Sequence, residues 1–342
     1  MKDFYIGKKK VGEKSPVFII AEVGVNHNGN INLAYKLIDL AAKAGADAVK
    51  FQMFYPEMLC SKIYRNEELE MLKKYIVSFE DMKKLRDYSY SLGLEFIVTP
   101  FDFKSLEDVV KLDCSAIKIG SGELTHTPFL KRAASFDKSL IISTGASYLS
   151  DIERAVNTIK TVSNKSLSIL HCVSTYPAPD DCLNLYALQT LKFAFRDCII
   201  GFSDHSLGYT ASNLAVALGA NVIEKHITLD KCLEGPDHKA SASQEEFINM
   251  VSTIRIAEKM LGDGYKKPQY CEEVIGRSIV ASRDLNKGDI ITKDDIDYKR
   301  PGYGLRPYDE DKILGVHINK NIKKDDLLIL EHFMKIGDGN EK

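Results

Sequence analysis

No stretch of this sequence approaches the roughly 18 consecutive apolar residues that a membrane span requires. The first apolar run, residues 17–21, is stopped by Glu22 and is too short for the apolar core of a secretory signal. Both absences lead to the expectation of a cytoplasmic protein. An excess of one charge is also missing. The 46 Lys and Arg against 48 Asp and Glu give a net charge of −2, with the signs interleaved. That balance speaks against nucleic acid or an anionic membrane as a partner. The run KKK at 8–10 is short and reads as a solvated turn. Cysteine is sparse and unpatterned: seven residues, an odd number, none in a CxxC pair. A disulfide framework is therefore not expected. Cys114, Cys172 and Cys198 lie in apolar surroundings and read as free core thiols. Neither an internal repeat nor a low-complexity tract is present.

What is present is an ordinary globular composition over 342 residues, 44% hydrophobic and 27% charged. Short β-rich runs alternate with longer helical patterns. The runs are VFIIAEVG (17–24), AVKFQ (48–52), EFIVTP (95–100), AIKIG (116–120), LIISTG (140–145), LSILHCVS (167–174), IIGFSDH (199–205) and VIEKHITL (222–229). Between them, stretches such as INLAYKLIDLAAKAG space apolar residues at i, i+3, i+4 and i+7. Strands alternating with helices imply parallel βαβ units. Eight such units predict a closed α/β barrel, (β/α)8, with an open doubly wound sheet as the alternative. The pattern assigns residues 1–262 to the barrel, 263–275 to a linker, and 276–342 to a small domain of short strands and turns. The segment after the second strand, about 55–78, is long enough to cover one barrel face.

In such a barrel the chemistry sits at the C-terminal ends of the strands. Every strand here carries polar groups at that end. Glu22 is on the first, Lys50 and Gln52 on the second, Thr99 on the third. Lys118, Ser121 and Glu123 follow on the fourth, and Ser143 on the fifth. His171 and Tyr176 belong to the sixth, Ser203, Asp204 and His205 to the seventh, and Glu224 and His226 to the eighth. Buried polar groups are costly unless they pair or bind something, so eight strands doing this together mark a polar site. His205 and His226 end neighbouring strands and can approach one divalent metal ion, leaving other coordination positions open. The plain alternative is a pair of packed core histidines. Glu224 lies two residues from His226 on one face of a strand, as a metal-shell partner or acid–base group. Lys50 and Lys118 with the hydroxyls of Ser121, Ser143 and Ser203 suit a phosphate or carboxylate, and the GSG at 120–122 allows close backbone approach to an anion. Ordinary lysine–glutamate ion pairs are the alternative. Lys118 also admits a metal-free Schiff-base aldolase. His27, His171 and His238 read as packing or hydrogen-bonding residues.

Several motifs run in order along the barrel: IIAEVGVNHNG, KFQ, KIGSGE, STG, STYPAP, GFSDHSLG and EKHITLD…EGPDHKAS. They resemble the sialic acid synthase family, which includes N-acetylneuraminate, legionaminate and pseudaminate synthases. ASRDLNKGDIIT and KRPGYG resemble its antifreeze-like SAF domain. The resemblance implies a TIM barrel joined to a SAF domain, in a domain-swapped homodimer. It implies condensation of phosphoenolpyruvate with an open-chain 2-acetamido sugar, giving a nine-carbon 2-keto sugar acid and phosphate. The sugar would be N-acetylmannosamine or a 2,4-diacetamido-6-deoxy sugar. A divalent ion is implied, typically Mn2+, with Mg2+ and Co2+ as alternatives. By position, His205 and His226 match the metal ligands. Lys50, Thr99, Lys118, Ser121, Ser143 and Ser203 match the phosphoenolpyruvate contacts. Gln52, Tyr176 and Asp237 match positions near the sugar, and Arg300 an arginine reaching from the partner's SAF domain. Glu22, Glu123 and Glu224 compete for the acid–base roles. Ser174 departs from the asparagine that some members carry before Tyr-Pro. A non-catalytic sugar- or ice-binding protein, suggested only by the tail, is the remaining alternative.

Overall fold

The computed structural model describes residues 4–165, 167–272 and 274–333. The chain divides into two compact units, Met1–Gly262 and Asp263–Lys342. The first opens with a hairpin that the sequence reading did not anticipate, strands β1 (Phe4–Ile6) and β2 (Lys9–Val11). Lys9 and Lys10 are strand residues, and Lys9 Nζ reaches Asp47 Oδ1 at 2.9 Å. Gly7 makes the turn at φ 57°, which favours glycine.

The expected closed (β/α)8 barrel then forms. Its strands are β3 (Phe18–Gly24), β4 (Ala48–Met53), β5 (Glu95–Pro100), β6 (Ala116–Ile119), β7 (Leu140–Ser143), β8 (Leu167–Cys172), β9 (Ile199–Asp204) and β10 (Val222–His226). All pair in parallel, and β10 returns to β3 with His226 opposite Glu22. The period-two pleat separates two environments. Ile19, Ala21 and Val23 of β3, with Val49, Phe51 and Met53 of β4, pack in the large apolar cluster shared with the helices. The alternate residues Phe18, Ile20, Ala48, Ile97, Ala116, Ile141, Leu170, Ile199 and Val222 form a second cluster inside the barrel. Phe4, Ile6 and Val11 of the hairpin join that inner cluster, so the hairpin stoppers the N-terminal end. Packing inside is tight at Gly201: a Cβ there would come within 2.6 Å of the Val222 carbonyl.

One further step of two residues along each strand changes the chemistry. Glu22, Lys50, Thr99, Lys118, Ser143, Ser203 and Glu224 keep the inward parity, sit above the apolar layer, and are all buried. The same alternation that builds the core thus delivers the polar layer. Helix ends are defined locally. Asn30 caps the helix Ile31–Ala44, and Gly45 ends it in the left-handed region. Ser243 and Glu246 form a capping box on Gln244–Leu261. The long segment after β4 holds the short helices Pro56–Leu59 and Asn66–Leu72. Among the described residues, no helix is long and apolar enough to cross a membrane.

The second unit pairs β11 (Ser278–Ala281) antiparallel with β12 (Ile296–Lys299). Ile279, Leu285, Ile291, Ile313, Ile318, Ile322 and Leu328 are among the residues of its own small core. Turns and isolated bridges make up most of the rest.

Candidate active site

The inward polar residues converge on a cavity of about 250 Å3 at the C-terminal end of the barrel. Lys50, Gln52, Thr99, Lys118, Ser121, Ser143, Tyr176, Ser203, His205, Glu224 and His226 all line it. Two lysines and two glutamates interlock at its base. Lys50 pairs with Glu22 and stands 3.5 Å from Glu224 Oε2, while donating to Thr99 Oγ1 at 3.1 Å. Lys118 donates to Ser143 Oγ at 2.6 Å and lies 3.6 Å from Glu224 Oε1. Ser203 donates to the same Oε1 at 2.8 Å.

The charges are unevenly shared. Burial would push Glu224 up, but Lys118 and Lys50 outweigh it and hold the carboxyl down at about 2. Burial raises Glu22 to about 7 against the pull of Lys50. Burial thus dominates at Glu22, and the two lysines dominate at Glu224. Lys50 is raised, because Glu22 and Glu224 overcome its burial; burial lowers Lys118. The cluster sets two lysine side chains among hydroxyl groups, the chemistry that suits an anionic ligand.

The two histidines face each other across the same cavity, ring centroids 5.5 Å apart. His205 Nδ1 donates to the Val173 carbonyl at 2.7 Å, which leaves Nε2 as its coordinating nitrogen. Burial opposes protonation of His205, but Cys172 and the Val173 carbonyl raise its pKa. His226 is held well below the ordinary range by burial, His205 and Lys50, and is neutral. Its Nδ1 is buried without a hydrogen bond and faces Asp237 Oδ2 at 3.5 Å. Gly24, at φ 56°, leaves room where Asp237, Glu22 and His226 meet: a Cβ would lie 3.2–3.3 Å from all three. Two imidazoles, one with an orphaned buried nitrogen, fit a divalent ion whose other ligands are water and substrate. Among the described residues, no three His, Cys, Asp or Glu side chains form a closed metal cage. The Tyr176 ring lies over His205 at 4.1 Å.

Other expected residues stand behind or beside the cavity. Glu22 sits beneath Lys50. Glu123 is on the turn Ser121–Glu123 after β6, with Oε2 buried and unpaired; burial pushes its carboxyl up to about 7. Arg300 belongs to the second unit, directly after β12, and is exposed there. Two polar strand-end residues are not in the site. His171 has the outward parity, stacks on Phe202 at 5.8 Å, and bonds the Leu183 carbonyl. Asp204 also points outward, into an ion pair with Lys225. The sequence reading missed Cys172. It is not a plain core thiol: it lines the cavity, 3.6 Å from Ser121 Oγ and 3.7 Å from His205 Nδ1. Its parity with Leu170 on β8 was the available signal. Phe101 and Ser174 complete the wall.

The model of the NeuB family matches residues 37–266, and that of the SAF domain matches 276–334. An N,N'-diacetyllegionaminic acid synthase of Legionella pneumophila is 43% identical over 346 residues, covering 95% of this chain and 97% of that one. One of Campylobacter jejuni with the same name is 40% identical, covering 91% and 98%. The crystal structure of an N-acetylneuraminic acid synthetase from Leptospira borgpetersenii superposes with a TM-score of 0.75 at 37% identity, over 79% of this chain and 94% of that one. With the family model spanning most of the barrel and the SAF model most of the second unit, the chain belongs to the NeuB family of sialic acid synthases.

Proposed function

We propose that this protein is an enzyme condensing phosphoenolpyruvate with the open-chain form of a 2-acetamido sugar, releasing phosphate and a nine-carbon 2-keto sugar acid. The observation that carries the reading is one cavity holding a buried two-lysine, multi-hydroxyl cradle opposite two facing imidazoles. The names of the relatives support the substrate class: legionaminic and N-acetylneuraminic acid synthases share these proportions of the chain.

In this reading Lys50, Thr99, Lys118, Ser121, Ser143 and Ser203 grip the carboxylate and phosphate of phosphoenolpyruvate. His205 and His226 would hold a divalent ion, with Mn2+ as the proposed metal. When bound, that ion supplies Lewis-acid polarisation of the sugar aldehyde oxygen. Carbon 3 of phosphoenolpyruvate forms the new bond to the aldehyde carbon, and the aldehyde oxygen, taking the π-electron pair, gains a proton to become a hydroxyl. Positive charge develops on carbon 2, water adds there, and the carbon–oxygen bond to phosphate breaks. Glu224, fixed as an anion between the lysines, stabilises that positive charge. Glu123, with its raised pKa, takes the proton of the attacking water. Glu22 holds Lys50 in place. Gln52, Tyr176 and Asp237 line the sugar end, and Arg300 of a partner subunit's SAF domain completes it in a domain-swapped homodimer.

The lowered pKa of Lys118 favours one second reading, a metal-free aldolase with a Schiff base at that residue. Phosphate release from phosphoenolpyruvate, with a panel of acetamido sugars and with Mn2+ or EDTA, separates the two. Mn2+-dependent release with one sugar establishes the condensation and names the substrate. No phosphate release with any sugar, together with a borohydride-trapped pyruvate adduct on Lys118 that forms in EDTA, establishes the aldolase instead.

A further inference from the structure

Each of the two histidines is directly preceded by a charged residue that points the other way, out of the barrel. Asp204 precedes His205, and Lys225 precedes His226; the two pair at 3.0 Å with almost no exposure. Asp204 is fully engaged. Its Oδ1 accepts from the Ser206 backbone N–H at 2.9 Å and the Ser206 hydroxyl at 2.6 Å. Its Oδ2 accepts from the Ser212 hydroxyl at 2.6 Å. Lys225 Nζ also donates to the Ser206 carbonyl at 2.6 Å. Ser206 is therefore gripped at its N–H, its hydroxyl and its carbonyl.

Stability alone does not account for this arrangement. Replacing a buried ion pair by apolar residues of similar size is often neutral or favourable. The position of the pair points to a different purpose. His205 lies between Asp204 and the clamped Ser206, so its backbone has little freedom. Its carbonyl accepts from the Ala178 N–H at 2.9 Å, and its ring is tied to the Val173 carbonyl at 2.7 Å. The ion pair also joins β9 to β10, and so links the two elements that present the imidazoles.

We propose that Asp204 and Lys225 are a positioning pair that sets the relative placement of the His205 and His226 rings, and thereby the cation affinity of the site, without touching cation or substrate. The inference rests on the reading of both histidines as metal ligands. Partners behind metal-bound side chains typically change metal affinity about 10- to 100-fold.

The test is Mn2+ binding to the substrate-free protein, followed by the paramagnetic resonance signal of free Mn2+. Three variants are compared with the wild type. Asp204→Asn removes one charge. Asp204→Asn with Lys225→Met removes both. Ser206→Ala deletes a single hydroxyl and leaves the ion pair. The expected result is a dissociation constant raised about tenfold or more in the first two and about two- to threefold in the third. Circular dichroism and phosphoenolpyruvate binding to the metal-free protein stay unchanged. Folded variants with wild-type Mn2+ affinity overturn the positioning proposal alone, even if their melting temperature falls. Absence of Mn2+ binding in the wild type overturns the metal reading, and this proposal with it. If both charge variants fail to fold, Ser206→Ala decides: unaltered affinity there sinks the proposal.

Discussion

Glu224 and Lys118 stand 3.6 Å apart at the base of the cavity, both buried, and the carboxylate answers to Lys50 as well at 3.5 Å. Lys50 has Glu22 as a second carboxylate partner, whereas Lys118 shares Glu224 with it. Lys118 then has capacity to spare for a ligand anion. Lys118→Met should weaken phosphoenolpyruvate binding roughly 10- to 100-fold, the worth of one hydrogen bond to a charged group in a buried setting. Equilibrium binding without sugar measures it. Glu224 keeps Lys50 as a partner, so the variant should fold. Undiminished binding would remove Lys118 from the anion cradle.

This site was legible because of one property of a parallel barrel. Alternate residues face inward, so Ile20 and Glu22, Ala48 and Lys50, Ala116 and Lys118 announce an apolar layer followed by a polar one. The same rule, applied residue by residue, separates Cys172 from His171 on β8. His171 bonds and stacks outside the cavity as a packing residue, as its sequence context suggests, while parity also turns Asp204 outward and Cys172 inward. The hairpin was illegible for another reason. Phe4, Ile6 and Val11 are three apolar residues in strands of three, too short for a period, and the adjoining lysines masked them. Only the open end of the barrel interior gives them something to cover.

Glu123 supplies a pH signature. Burial raises its carboxyl to about 7, so it is protonated below that value and ionised above it. A base must be ionised to accept a proton from water. Turnover should therefore rise as pH climbs through about 7, if Glu123 acts in that role. Glu123→Gln should lower turnover and flatten this limb, while phosphoenolpyruvate binding persists. A limb that survives in the variant would assign it to another group, with Glu22 the first candidate.

His226 is kept neutral by burial and by the cations near it, and its orphaned Nδ1 faces Asp237 Oδ2 at 3.5 Å. His226→Ala should abolish Mn2+-dependent turnover and weaken Mn2+ binding at least tenfold, leaving the circular dichroism spectrum intact. Metal binding of wild-type strength in that variant would refute the ligand assignment.

Arg300 allows a test of the domain-swapped dimer that no single variant provides. Arg300→Ala should raise the KM for the sugar more than that for phosphoenolpyruvate, because its proposed place is at the sugar end. His226→Ala damages the barrel but leaves its Arg300 intact. Mixed after reversible dissociation, the two inactive or weakened proteins can form heterodimers. If Arg300 acts on the partner's barrel, one site of each heterodimer unites an intact His226 with an intact Arg300. Random pairing of equal amounts makes half the dimers mixed, and one active site in each restores about a quarter of wild-type activity. If Arg300 acts within its own chain, every site in the mixture lacks one group or the other, and mixing restores nothing. The recovered rate on mixing thus decides between a site completed by the partner and a site completed by the chain that carries it.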